Sequence, residues 1–190
     1  GLLRAQCRGE SWRRHNMVSM ANSVFEAVRT MLAVREYQDK EIPDEVVHRV
    51  VEAGRLSASA SNMQPWHFVV VRKRETIQEM AALARTGPYI GPARLAILVA
   101  TEKESPYGAS DASRAIQSMM LTAWADGVGS NWVGFGGLER IAKLVGLPDT
   151  YQVLAVVPFG YPKRALGKGK KKRKALSEVT SAERFGTPFA

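Results

Sequence analysis

The chain has 190 residues, 45% hydrophobic and 24% charged, with a formal net charge of +9 and a single cysteine. That length and balance describe one globular domain with room for a substantial core, and no apolar run is long enough to cross a bilayer. The lone Cys7 excludes a disulfide framework and any thiol chemistry in the core, which fits a reducing, cytoplasmic setting.

Residues 1–20 carry Arg4, Arg8, Arg13 and Arg14 but neither a secretory apolar stretch nor clear periodicity. They read as an unstructured or added leader, with Met17 or Met20 as a natural start, and 21–190 as the single domain. Ser23 and Glu26 match a capping box, and Val24, Phe25, Val28 and Leu32 continue it as a helical apolar stripe. A second helix is expected from Pro43 to about Leu56, with Val46, Val47, Val50 and Val51 inward. His67 to Val71 reads as a strand and Glu75 to about Ala84 as a helix. Leu95 to Ala100 is a continuous apolar run, the pattern of a strand buried on both faces. Asp111 is the expected cap of the longest helix, which ends at Gly127 and turns Ala115, Met119, Met120 and Ala123 inward. A short strand over Asn131–Val133, a helix over Leu138–Val145 stopped by Gly146 and Pro148, and a strand over Gln152–Phe159 complete the domain. Helices and strands alternate without a regular βαβ rhythm, which points to an α+β fold. Beyond Pro162 the chain is polar until Phe185 and Phe189, two side chains that need a surface to cover them.

The positive charge is concentrated in Lys163, Arg164, Lys168, Lys170, Lys171, Lys172, Arg173 and Lys174. Such a run is a solvated surface or a general anion site. It lacks the aromatic residues that a single-strand nucleic-acid platform interleaves with its cations. Catalytic side chains are scarce. There is no GxxxxGK[ST] loop and no G-x-S-x-G elbow, and Gly127-x-Gly129 meets Trp132 where a dinucleotide fingerprint needs its third glycine. His15, His48 and His67 are isolated, without metal-ligand spacing. A chain so poor in reactive groups either borrows its chemistry from a cofactor or performs none.

The most informative segment is Asn62-Met63-Gln64-Pro65-Trp66, preceded by Ser57-Ala58-Ser59-Ala60-Ser61 and followed by the apolar strand. Hydroxyls and amides precede a large flat ring, and Pro65, with no N–H, biases Gln64 toward extended geometry. Such a loop suits a planar, polar-edged ligand; equally, it suits a plain helix-to-strand connection with its Trp in the core. The loop resembles the Asn-x-Gln-Pro-Trp signature of the nitroreductase-like FMN-dependent oxidoreductases. In the same order as that family come Ala33-Val34-Arg35-Glu36-Tyr37, the glycine segment from Gly127 to Phe135, and Pro158 to Pro162 followed by Lys171-Lys172-Arg173. The resemblance runs from about Ser23 to about Val179. It implies a central, mainly antiparallel sheet flanked by helices, in an intertwined homodimer with an extended C-terminal tail and flavin at the interface.

The same resemblance implies site residues. Arg35, beside Ala33, matches the arginine that binds FMN phosphate and ribityl, a bidentate, always-charged contact. Ala58 and Ser59 match the pair that reaches the flavin from the other subunit, and Asn62 and Gln64 the amides that fix the loop and the ring edge. Gly134 matches the residue whose backbone N–H points at flavin N5, with no catalytic side chain beyond the flavin itself. Lys171 and Arg173 match the late basic pair on the phosphate. The implied activity carries electrons from NAD(P)H through the flavin to a small planar electrophile such as a nitroaromatic or a quinone, with no membrane partner and nucleic acid not expected. One departure stands out: Met31-Leu32-Ala33 occupies the place of the family's Arg-Arg-Ser, which removes two cations and a hydroxyl. Arg29, Arg55, Lys168 or Lys170 are the cations within reach to compensate. The alternative that this departure motivates is a non-catalytic protein on the same scaffold, binding a phosphorylated ligand or nucleic acid.

Overall fold

A computed structural model describes residues 23–134, 136–166 and 171–189. The expected leader, with Cys7, Met17 and Met20, lies outside the described residues, as do Phe135, Lys168 and Lys170. The described chain runs α1 (23–30), α2 (Asp44–Arg55), β1 (Trp66–Val71), α3 (Arg74–Leu83), β2 (Leu95–Glu102), α4 (Gly108–Ala125), β3 (Gly129–Ser130), α5 (Leu138–Leu144) and β4 (Tyr151–Gly160). The four strands form one sheet in the order β1-β2-β4-β3, and every neighbouring pair is antiparallel. This is the expected α+β architecture, and apart from the start of α4 and the short strand the boundaries fall within a residue or two of those expected.

The central strand β2 decides the layering. Leu95, Ile97 and Val99 point to one face, where they meet Val46, Val47 and Val50 of α2 and Ala112, Ile116 and Met119 of α4. Ala96, Leu98 and Ala100 point to the other, against Ile77 and Met80 of α3, Ile90 and Ile141 of α5. Alternation along an extended strand supplies two apolar faces, and each takes a helical layer. Continuous apolar strands usually mark parallel sheets; here the sheet is antiparallel, and the run is apolar because helices cover both sides.

Helix ends follow local chemistry. After α4 the Val128 N–H donates to the Ala123 carbonyl at 2.9 Å and the Gly127 N–H to that of Trp124 at 3.0 Å, with Gly127 at φ 76°. After α5 the Leu147 and Gly146 N–H groups return to Ala142 and Lys143 in the same way, with Gly146 at φ 66°. Both are the glycine-closed ends expected at these positions.

Three expectations need correction. Asp111 is not the cap of α4: the cap is Tyr107, and Asp111, fourth in the helix, turns inward and is fully buried. The short strand is Gly129–Ser130 rather than Asn131–Val133. The Asn131 N–H donates to the Pro158 carbonyl at 3.3 Å, but Pro158 has no N–H to return, so the ladder ends there and Val133 makes only an isolated bridge to Val156. In α1, both carboxylate oxygens of Glu26 accept from Arg29, at 2.8 and 2.5 Å. Gln64 has φ 52°, not the extended geometry expected ahead of Pro65; its N–H is held by the Ser59 hydroxyl at 3.0 Å.

Candidate functional site

The Ala33–Tyr37 segment lies across the end of the sheet. Ala33 bridges Ser130 in parallel, and the Val34 N–H donates to the Ser130 carbonyl at 2.9 Å. On the other side Tyr37 bridges Pro162, and the Lys163 N–H donates to the Glu36 carbonyl at 3.0 Å. Two glycines allow this approach. A Cβ on Gly129 would sit 2.3 Å from Val34 Cγ2, and one on Gly160 2.7 Å from the Tyr37 ring. Tyr37 is buried with its hydroxyl donating to the Val34 carbonyl at 2.7 Å, and burial raises its pKa. The segment is thus pinned on both edges, while Ala33 and Arg35 stay exposed.

Arg35 carries its guanidinium 5.5 Å from the centroid of the Tyr89 ring. Beside it Ala33, Arg35, Lys163, Arg164 and Leu166 line a cleft of about 320 Å³. Lys171 reaches the same end of the molecule: its Nζ donates to the Val28 carbonyl of α1 at 2.5 Å. Partial burial, and then the neighbouring Arg173, lower its pKa. Arg173 donates to the Lys172 carbonyl at 2.9 Å. Of the cations that stood to compensate for the Met31-Leu32-Ala33 departure, Arg29 is tied to Glu26, and Arg55 to Glu52 at 2.7 and 2.6 Å. Lys163 and Arg164, part of the general basic run, line the cleft with Arg35, and Glu36 lines it too, its carboxylate 3.7 Å from Arg164 Nε.

The Ala58–Gln64 loop sits elsewhere. Three of its residues take left-handed backbone, Ser61 at φ 49°, Asn62 at 56° and Gln64 at 52°. Asn tolerates this region; Ser and Gln occupy it only when neighbours hold them there. The holding contacts are the Ser59 hydroxyl on the Gln64 N–H, the Gln64 amide on the Asn62 carbonyl at 3.1 Å, and Asp111 Oδ2, which accepts the Ala60 N–H at 3.0 Å. The side chains of Asn62 and Gln64 face solvent. Trp66 then enters β1 half-buried, stacked on Phe68 with centroids 6.3 Å apart. Asp111 is the contributor that sequence reasoning missed. As an acid near a helix start it reads as a cap, and nothing local says that it faces inward.

Two rulers measure the distance between these groups. The Ala58–Gln64 loop feeds β1 at Trp66, whose partner is Thr101, while Ala33 and Arg35 lie beside Ser130, whose ladder runs through Phe159 to Leu95. Six residues of strand separate Thr101 from Leu95, about 20 Å. Along α4, Asp111 holds the loop and Trp124 Nε1 donates to Thr30 at 3.0 Å beside the other group. Thirteen helical residues also span about 20 Å. The candidate residues therefore form two sets, at opposite ends of one chain. Gly134 lies between them, past the Val133–Val156 bridge, where an added Cβ would come within 2.5 Å of Trp132 Nε1.

Among the described residues no cluster of His, Cys, Asp or Glu could hold a metal, and no helix is long and apolar enough to cross a membrane.

The nitroreductase family model matches residues 29–102 and 88–161. A protein of Methanothermobacter thermautotrophicus, provisionally named an NADH dehydrogenase/NAD(P)H nitroreductase, is 34% identical over 147 residues, covering 73% of this chain and 77% of that protein. A crystal structure from Bacteroides thetaiotaomicron, under the same provisional name, superposes with a TM-score of 0.79 at 29% identity, covering 85% of this chain and 98% of that one. The NADPH:FMN oxidoreductase of Vibrio harveyi, solved with NAD+, shares the fold with a TM-score of 0.76 at 21% identity, over 86% and 78% of the two chains.

Proposed function

Because this chain belongs to the nitroreductase family, we propose that it is an FMN-dependent oxidoreductase that takes reducing equivalents from NAD(P)H. The acceptor is a small planar electrophile such as a nitroaromatic or a quinone. The observation that carries this reading is the division of the candidate residues. Cations suited to a phosphate stand at one end of the sheet, and a loop with outward amides suited to a ring edge at the other, about 20 Å apart. Two copies related by a two-fold axis would set the loop of each against the cation set of the other and close both around one flavin.

The residues fit the cofactor. Arg35, Lys171 and Arg173 offer charge-assisted contacts to a phosphate, and Lys163 and Arg164 line the cleft beside Arg35. They make up charge that Met31, Leu32 and Ala33 do not supply. Asn62 and Gln64 present amides, Ala58 and Ser59 a low-profile rim, and Gly134 a backbone with no side chain of its own, beside the Trp132 indole. Bound FMN would supply the redox chemistry itself, and the chain would bind and orient it. The single cysteine and the absence of a disulfide framework support a cytoplasmic setting.

Purified protein titrated with FMN is expected to acquire flavin absorbance and to oxidise NAD(P)H with a panel of nitroaromatic and quinone acceptors. Protein that stays colourless through the titration would overturn the reading.

A further inference from the structure

We infer that Asp111 is a positioning residue: from inside the core it holds the Ser59–Gln64 loop in the left-handed geometry with which the loop meets the flavin. The second half of this statement rests on the function proposed above. The carboxylate is fully buried, and burying a charge is costly unless partners meet it. Its partners are few. Oδ2 accepts the Ala60 N–H at 3.0 Å, while Oδ1 lies 3.5 Å from the Ser110 hydroxyl and 3.5 Å from the exposed Arg114 guanidinium. The first turn of α4 adds the positive end of the helix dipole. The one close hydrogen bond of this buried charge thus goes to the backbone of the loop.

The loop is where strain concentrates. Three of the four non-glycine residues with positive φ among the described residues are Ser61, Asn62 and Gln64, immediately after Ala60. Such residues persist only when their surroundings over-determine them. Two turns further along α4, the Ser57 hydroxyl donates to Ser118 at 2.8 Å, so the helix grips the segment at a second point on the same face. α4 is closely packed here, with the buried Met119 against Gly54. Asn62 and Gln64 stay exposed, with the Gln64 amide on the Asn62 carbonyl, and a buried carboxylate rather than a ligand holds the backbone just before them.

The test compares wild type with Asp111→Ala, Asp111→Asn and Ala60→Pro. The last deletes the donor at the first position of a short 3-10 turn, where proline is tolerated and where the preceding Ser59 is already extended, at φ −133° and ψ 157°. Hydrogen exchange of the 60–64 amides reads the loop, and FMN titration reads its consequence. Asp111→Ala and Ala60→Pro are expected to speed exchange in the loop selectively and to weaken FMN binding roughly tenfold or more, with Asp111→Asn, which keeps an acceptor oxygen, restoring most of both. Loop exchange unchanged in both Asp111→Ala and Ala60→Pro overturns the inference, as does FMN affinity within about twofold of wild type in those variants, or an Asn variant as impaired as Ala. Should Asp111→Ala fail to fold, Ala60→Pro decides alone. A wild-type protein that takes no FMN overturns the functional reading, and exchange then decides the positioning role by itself.

Discussion

At Arg35 the backbone is fixed on both sides, through Val34 to Ser130 and through Glu36 to Lys163, while the guanidinium stays exposed over Tyr89. A rigid base under a free cation suits phosphate capture. Arg35→Ala is expected to weaken FMN binding by about 1.5–3 kcal/mol, roughly tenfold to a hundredfold, and Lys40→Ala by far less; equal occupancy in the two variants would make Arg35 structural. Lys171 gives a pH signature. Partial burial and Arg173 lower its pKa, so it loses its proton at a lower pH than a free lysine does. The charged form binds phosphate. FMN affinity should therefore be flat from neutral pH upward until it falls as pH passes through that lowered value, and Lys171→Arg should remove the fall. A fall that persists in Lys171→Arg would assign it to another group.

Between elements, the closest approach in the candidate site is β3 against the Ala33–Tyr37 segment. Gly129 permits it, because a Cβ there would overlap Val34. Gly129→Ala is expected to cost about 1–3 kcal/mol in denaturant unfolding, the usual range for overpacking. In a double-mutant cycle with Val34→Ala, part of that cost should return as coupling. Strictly additive costs would show that the segments part without resistance. The glycine itself stands plainly in the sequence, yet its partner does not: Val34 and Gly129 are 95 residues apart, and only the antiparallel β3–β4 pairing and the bridge from Ala33 to Ser130 bring them together.

For the whole molecule the telling surface is apolar and uncovered. Val24, Phe25 and Val28 on α1, and Leu176, Val179, Phe185 and Phe189 in the tail, are all exposed in the single chain. The tail phenylalanines are the side chains whose sequence calls for a covering surface, and among the described residues nothing covers them or the α1 stripe. A homodimer is expected by light scattering at micromolar protein, with a melting temperature that rises with concentration. Removing the chain from Ser181 onward should lower both dimer stability and flavin affinity. A monomer that retains flavin would refute the shared site.

Much was legible from residues alone, and for local reasons. The two glycine-closed helix ends follow from residues adjacent in the chain, and the β2 run follows from side-chain alternation, so short stretches determine them. The Ser59–Gln64 loop and Arg35 could be picked out as site candidates because their motifs are contiguous. Three things were decided only in three dimensions. The inward turn of Asp111 depends on where the loop 51 residues earlier meets α4. The early end of β3 depends on Pro158 standing opposite Asn131. The distance of about 20 Å between the Arg35 set and the Ser59 loop depends on pairing between strands far apart in the chain, while their assignment to different subunits is what the resemblance already implied.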